Sequence, residues 1–208
     1  MKKVIIIVSA IVILGVTFFL FNLNKKDKEE TPYTVISLAE LFPDKEMTQN
    51  FKDANGEYKV TVSKPTIVDG VTTVKTSYDV ENEDKQKTTL NTTYVITNEK
   101  VVESGEYVAD GKVVSVIYPS EIIVGVPYVN MTWKSTDGLI TNTVTSMVNN
   151  KVTIESVRNV DTYEENEKKP VVKKYKETRV YEKGKGIVLY RSEIVDDKTS
   201  VIEKKLVD

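Results

Sequence analysis

The sequence predicts an all-β protein: an antiparallel meander of roughly ten strands, forming a curved sheet or a two-layer sandwich, preceded by one N-terminal transmembrane helix. Three observations carry that reading. Residues 4–23 (VIIIVSAIVILGVTFFLFNL) form an uncharged apolar run. From Glu57 onward, valine, threonine and tyrosine alternate with polar residues at a period of two, the pattern of strands with one dry and one wet face. The runs are separated by Asp-Gly, Asn-Gly and Asn-Asn pairs, which supply the positive φ angles of tight hairpins.

The apolar run is broken in polarity only by Ser9, Thr17 and Asn22. As a helix of about 20 residues rising ~1.5 Å each, it is about 30 Å long and matches the hydrocarbon core of a bilayer. A cleavable signal would end in a small-x-small site, but the only such triplet, Val8-Ser9-Ala10, lies near the start of the run. The chain has no cysteine to carry a lipid, and a core helix would not be apolar on every face. The expectation is an uncleaved signal-anchor. Lys2 and Lys3 are balanced by Lys25, Lys26 and Lys28 beyond the run, so charge alone does not orient it. The short leading tail favours an outward carboxy-terminal part. The expected plan is a cytoplasmic tail at 1–3, the anchor at 4–23, a charged linker at 24–32 and an extracytoplasmic β-domain at 33–208. That makes a single-pass protein of the cell membrane.

Two of the 29 basic residues precede the anchor, and all 31 acidic residues follow it, leaving 27 against 31 in the remainder. With no basic block, nucleic acid has no electrostatic footing as a partner. The absence of cysteine excludes disulfides and thiolate metal sites. The absence of histidine removes the commonest general base, the commonest metal ligand and any Ser-His-Asp triad. Neither a cofactor nor a metal is expected.

Beyond the linker, Ser37-Leu38-Ala39-Glu40-Leu41-Phe42 is a short helical turn, with Ser37 and Glu40 in capping-box positions and Pro43 as the stop. Leu38, Leu41 and Phe42 share a face expected to plug one end of a sheet core. Strands then follow on the even positions Tyr58/Val60/Val62, Val74/Tyr78/Val80, Leu90/Tyr94/Ile96, Ile140/Val144/Val148 and Val152/Ile154/Val160. Turns are expected at residues 53–56, Asp69-Gly70, Asp110-Gly111, residues 136–138, Asn149-Asn150 and Asp196-Asp197. The charged stretches at 81–87 and 164–169 lack the ordered oxygen ligands of an EF-hand and read as solvated hairpin tips. Gly184 and Gly186 precede a strand rather than a helix, which excludes a phosphate-cradling loop and points to a bulge or bend where two backbones pass closely.

The segment LAELFPDKEMTQNFKDANGEYK at 38–59, the turn Val124-Gly125-Val126-Pro127 followed by Trp133, and RVYEKGKGIVLYRSE at 179–193 resemble, in order and spacing, a family of uncharacterised envelope-anchored, lipoprotein-like proteins of Gram-positive bacteria. The last of these is similar to that family's Gly-x-Gly-[Ile/Leu]-Val ending. The resemblance implies an exported β-domain in the cell envelope and, by analogy with the half-open sheets of lipoprotein carriers, a concave sheet. It implies no activity.

Two functions follow as expectations. The first is a non-catalytic extracytoplasmic binding or scaffolding module that takes a lipid, a glycan or an envelope protein. Its dry face would be lined by Val74, Tyr78, Leu90, Tyr94, Ile140, Val144 and Ile154, and its candidate ligand-binding residues are Tyr78, Tyr94, Trp133, Tyr175 and Tyr181. The alternative is an enzyme acting on wall glycan through paired carboxylates, with Asp79, Glu155 and Glu177 as candidates on outward faces.

Overall fold

Among the described residues the alternating runs become thirteen strands of one antiparallel sheet. In chain order these are β1 (Met47–Asp53), β2 (Gly56–Val62), β3 (Thr66–Val68), β4 (Val71–Glu81), β5 (Lys87–Ile96), β6 (Lys100–Ala109), β7 (Lys112–Val124), β8 (Thr132–Lys134), β9 (Thr141–Val148), β10 (Lys151–Thr162), β11 (Val171–Glu182), β12 (Gly186–Ile194) and β13 (Ile202–Val207). The computed structural model describes residues 36–81, 87–162, 170–195, 197 and 200–207. The described residues fall within one compact unit, Val35–Asp208. The predicted span at 4–23 and the linker at 24–32 lie outside the described residues. Among the described residues no helix is long and apolar enough to cross a membrane.

The strand order is β7-β6-β5-β4-β2-β1-β13-β12-β11-β10-β9-β8, with β3 paired to β4 off this path. The chain therefore starts in the middle of the sheet, walks to one edge at β7, crosses to the opposite edge at β8 and walks back until β13 pairs with β1. Two meanders are joined through their terminal strands. This corrects the expectation of a single meander of about ten strands starting at Glu57. Strand β8 has three residues, β1 is largely polar, and β13 places its apolar residues only at its two ends, so they give little alternation to read.

Connectivity explains the curl. Twelve strands laid flat at ~4.8 Å spacing would be about 50 Å wide. The link from Val124 to Thr132 bridges the two edges with seven residues, a reach of roughly 27 Å at full stretch. The sheet must roll up until its edges approach, and it does. Glu103 on β6 reaches Arg179 on β11, 3.6 Å away across the interior. The two-layer sandwich is thereby excluded in favour of one nearly closed, barrel-like sheet.

The core lies inside this roll. Val74, Leu90, Tyr94, Val144 and Ile154 are all buried, as the even-numbered alternation requires. The 3₁₀ turn Ala39–Leu41 closes the interior. Ile36, Leu38, Leu41 and Phe42 join the core cluster, and the Phe42 ring lies 5.1 Å from Tyr94 on β5 and 6.0 Å from Tyr181 on β11. Phe42 thus ties the two meanders together. The Ser37 amide donates to the Glu40 carboxylate at 3.0 Å, the backward half of the expected capping box. The hydroxyl half is replaced by Leu38 at the N-cap, which makes no side-chain cap.

The turns predicted at 69–70, 110–111 and 149–150 form where their residue types demand, while Asp196 of the turn predicted at 196–197 lies outside the described residues. Asp69, Asp110, Asn149 and Asn150 all take positive φ, closing β3–β4, β6–β7 and β9–β10. The charged stretches at 81–87 and 164–169 join the paired strands β4–β5 and β10–β11, and their tips lie outside the described residues. The Gly184/Gly186 bend is the β11–β12 hairpin. Both glycines have positive φ, the β11–β12 register shifts between Val180 and Tyr181, and the Gly184 amide donates to the Glu40 carbonyl at 2.8 Å. The close-passing backbone is the plug.

Candidate functional site

The interior of the roll is not filled throughout. Beyond the Phe42 plug it leaves a cavity of about 360 Å³, within the size range of small-molecule sites. One wall is an aromatic ladder across three neighbouring strands. Phe51 of β1 stacks on Tyr58 of β2 at 5.9 Å, and Tyr58 lies 5.2 Å from Tyr78 of β4. Val60, Leu90 and Ile117 extend the apolar surface. The ladder exists because Phe51, Tyr58 and Tyr78 all fall on the inward parity of their strands, with Phe51 and Tyr58 directly opposite each other in the β1–β2 register.

The opposite wall is charged and closed on itself. Arg179 of β11 contacts Glu177 at 3.1 Å and Glu103 at 3.6 Å, and all three side chains are no more than 20% exposed. Burial opposes the charge on Arg179, but the fields of Glu103, Tyr181 and Glu177 outweigh it and hold the guanidinium firmly protonated. The arginine also faces the Tyr190 ring at 5.8 Å. Burial pushes the phenols of Tyr94, Tyr181, Tyr58 and Tyr190 above their ordinary value. Glu103 adds to the effect at Tyr94, and Tyr78 adds to it at Tyr58.

A second, smaller cavity of about 40 Å³ sits where β7 approaches β9, β10 and β11, lined by Glu121, Asn142, Ser156, Tyr175 and Arg179 among others. It is polar because Ser156 donates to Asn142 at 2.6 Å and Glu177 and Arg158 turn into the same seam.

The structure sorts the five candidate tyrosine and tryptophan positions. Tyr78 and Tyr94 line the large cavity together. Tyr175 lines the small one, with the Arg158 guanidinium 4.8 Å from its ring. Tyr181 is 0% exposed and belongs to the core, and Trp133 packs against that core from the edge strand β8. The carboxylate candidates are not brought together. Asp79 is exposed and accepts from Thr89, and Glu155 pairs with Lys176 at 3.9 Å. Glu177 faces inward rather than outward, because β11 presents Tyr175, Glu177, Arg179 and Tyr181 on one parity and the roll makes that parity concave.

Reading the sequence missed Phe51, Tyr58, Glu103 and Lys204. The Phe51/Tyr58 pair was available as two aromatics flanking a four-residue Asp-Ala-Asn-Gly turn at equal distance. Glu103 and Lys204 carried no local signal. Among the described residues no cluster of metal-ligating side chains occurs.

No family model matches the chain, and no curated protein is significantly similar to it. Among solved structures, one from Parabacteroides distasonis, described as a "putative lipoprotein", matches 81% of this chain and 96% of that one, at 10% identity and a TM-score of 0.38. The functional reading therefore rests on the cavity.

Proposed function

We propose that the β-domain is a non-catalytic binding module of the cell envelope, tethered through residues 4–23, whose rolled sheet receives an apolar ligand between the aromatic ladder and Leu90. The observation that carries this reading is the unfilled, aromatic-walled cavity of about 360 Å³ beside the packed core cluster. Protein interiors close to near-crystalline density when nothing is to be held there. The walls are stiff, being strand residues on a hydrogen-bonded sheet, so the space is preformed.

The reading has two tests. External protease applied to intact cells should remove residues 33–208. Organic extracts of the purified full-length chain should contain a co-purifying apolar molecule, and Thr92→Phe, which puts a ring into the cavity, should lose it. Protection from external protease would reverse the topology. Equal recovery from the Thr92→Phe protein would remove the cavity from the argument.

The glycan-acting alternative has one observation in its favour, the convergence of Glu103 and Glu177 on the interior side. Both carboxylates are engaged by the same guanidinium, which leaves neither positioned across a cleft from the other to act on a bond between them. Release of soluble muropeptides from purified wall, abolished by both Glu103→Gln and Glu177→Gln, would establish it.

A further inference from the structure

Charge within the cavity is unevenly balanced. Its charged lining residues are Glu103, Arg179, Lys185 and Lys204. Glu103 and Glu177 together offset the charge of Arg179, which lies 3.6 Å from the first and 3.1 Å from the second. Lys185 turns its ammonium to Glu182 at 2.8 Å. Lys204 alone of the four has no carboxylate partner among the described residues. Its ammonium donates to the Tyr78 hydroxyl at 3.1 Å and lies 5.3 Å from the centre of the Tyr78 ring. The adjacent acid, Glu203, points to the other face of β13 and pairs with Arg191. A neutral phenol uses one of three ammonium donors and cancels no charge. A cation held against an aromatic wall gives up hydration that only an anion replaces fully.

We propose that the ligand is an acyl chain with a single anionic head, carboxylate or phosphate, whose head Lys204 holds beside Tyr78 while the chain lies along Phe51, Tyr58 and Leu90. This rests on the reading of the cavity as an apolar site and adds the charge of what fills it. Lys204 is on β13 and Tyr78 on β4, so the head is gripped between strands drawn from the two ends of the domain's sequence. The geometry sets the Lys204 ammonium at the head and no charged side chain on the Phe51–Tyr58–Tyr78 ladder, which orients the amphiphile.

The test is photolabelling of the full chain in nanodiscs of neutral phosphatidylcholine with a diazirine-bearing dodecanoate, the labelled peptides then being mapped. Labels are expected on β2, β4 and β5. Dodecanoate and dodecyl phosphate should compete with this labelling at least about tenfold better than dodecanol, the lower end of what a charge-assisted hydrogen bond contributes to affinity. Acetate should not compete. Lys204→Met should abolish the preference for the anionic chains while dodecanol still competes, and Lys204→Arg should keep it. Dodecanol equal to dodecanoate on the natural protein would overturn the charge assignment and leave the apolar site standing. Absence of any label on those strands would overturn both readings. Acetate competing as well as dodecanoate would make Lys204 a plain anion site without a chain. Persistence of the preference in Lys204→Met would move the head elsewhere.

Discussion

Arg179→Met should be the most damaging single change to the barrel that leaves its apolar packing intact. The guanidinium lies 3.6 Å from Glu103 on one meander and 3.1 Å from Glu177 on the other, with side chains 16–20% exposed. At an effective dielectric of about 20, each contact is about 5 kcal/mol of gross attraction, most of it offset by the cost of taking the ions from water. Removing the arginine cancels the attraction but leaves two inward carboxylates desolvated, so the net loss is about 3–5 kcal/mol. Replacing all three residues at once, Glu103→Leu/Glu177→Leu/Arg179→Met, removes every buried charge and should restore stability to near that of the natural protein. Urea unfolding of residues 35–208 at pH 7, followed by Trp133 fluorescence, reads both variants. A single variant within about 0.5 kcal/mol of the natural protein, or a triple variant as weak as the single, would refute the idea that this cluster clamps the two meanders together.

Four further outcomes are expected. Gly105→Ala should cost about 1–3 kcal/mol by overpacking, since a Cβ there would lie 2.8 Å from the Asn91 carbonyl oxygen of the adjoining strand; differential scanning calorimetry measures it. Leu41→Ala, at a fully buried plug residue, should cost about 2–5 kcal/mol in chemical denaturation. In alkaline spectrophotometric titration, Tyr58, Tyr94, Tyr181 and Tyr190 should ionise last, because burial raises each of them. Stability should accordingly fall as pH rises past the ordinary phenol value of about 10, where the unfolded chain releases protons that the folded one retains. On the acid side, Glu182 is held below the usual carboxylate range by Lys185 and then Lys151, and Glu193 by Arg191 and then Lys176. Their contribution should be present above the unfolded carboxylate value and disappear as pH drops through the lower folded one, a loss visible as a declining thermal midpoint.

Much of the local structure was legible. Alternation named the dry face correctly at Val74, Leu90, Tyr94, Val144 and Ile154, because parity along a strand is a one-dimensional property. Turn chemistry placed the hairpins at Asp69, Asp110 and Asn149, because positive φ selects its own residues. The plug was readable from three apolar residues on one short turn. One signal went unread: Pro119 within β7 cannot donate to a neighbour and marks an edge strand, which β7 is.

The closure was not legible. The joint between β1 and β13 consists of Asn50↔Val207, Phe51↔Leu206 and Lys52↔Lys205. It sets two lysines opposite each other, a pairing that local reasoning would disfavour. It forms because the remaining strands, added one after another from either end, leave these two as neighbours.

By itself the sequence determined an all-β body, the dry parity at Val74, Leu90, Tyr94, Val144 and Ile154, its tight turns and its plug, since each depends on residues a few positions apart. Only the tertiary structure decided that the sheet rolls into one barrel-like layer, that Glu103 meets Arg179, and that Phe51, Tyr58, Tyr78 and Lys204 share one cavity. Those relations depend on which distant strands become neighbours, and that is settled by the whole sheet closing over a seven-residue link rather than by any stretch of chain read alone.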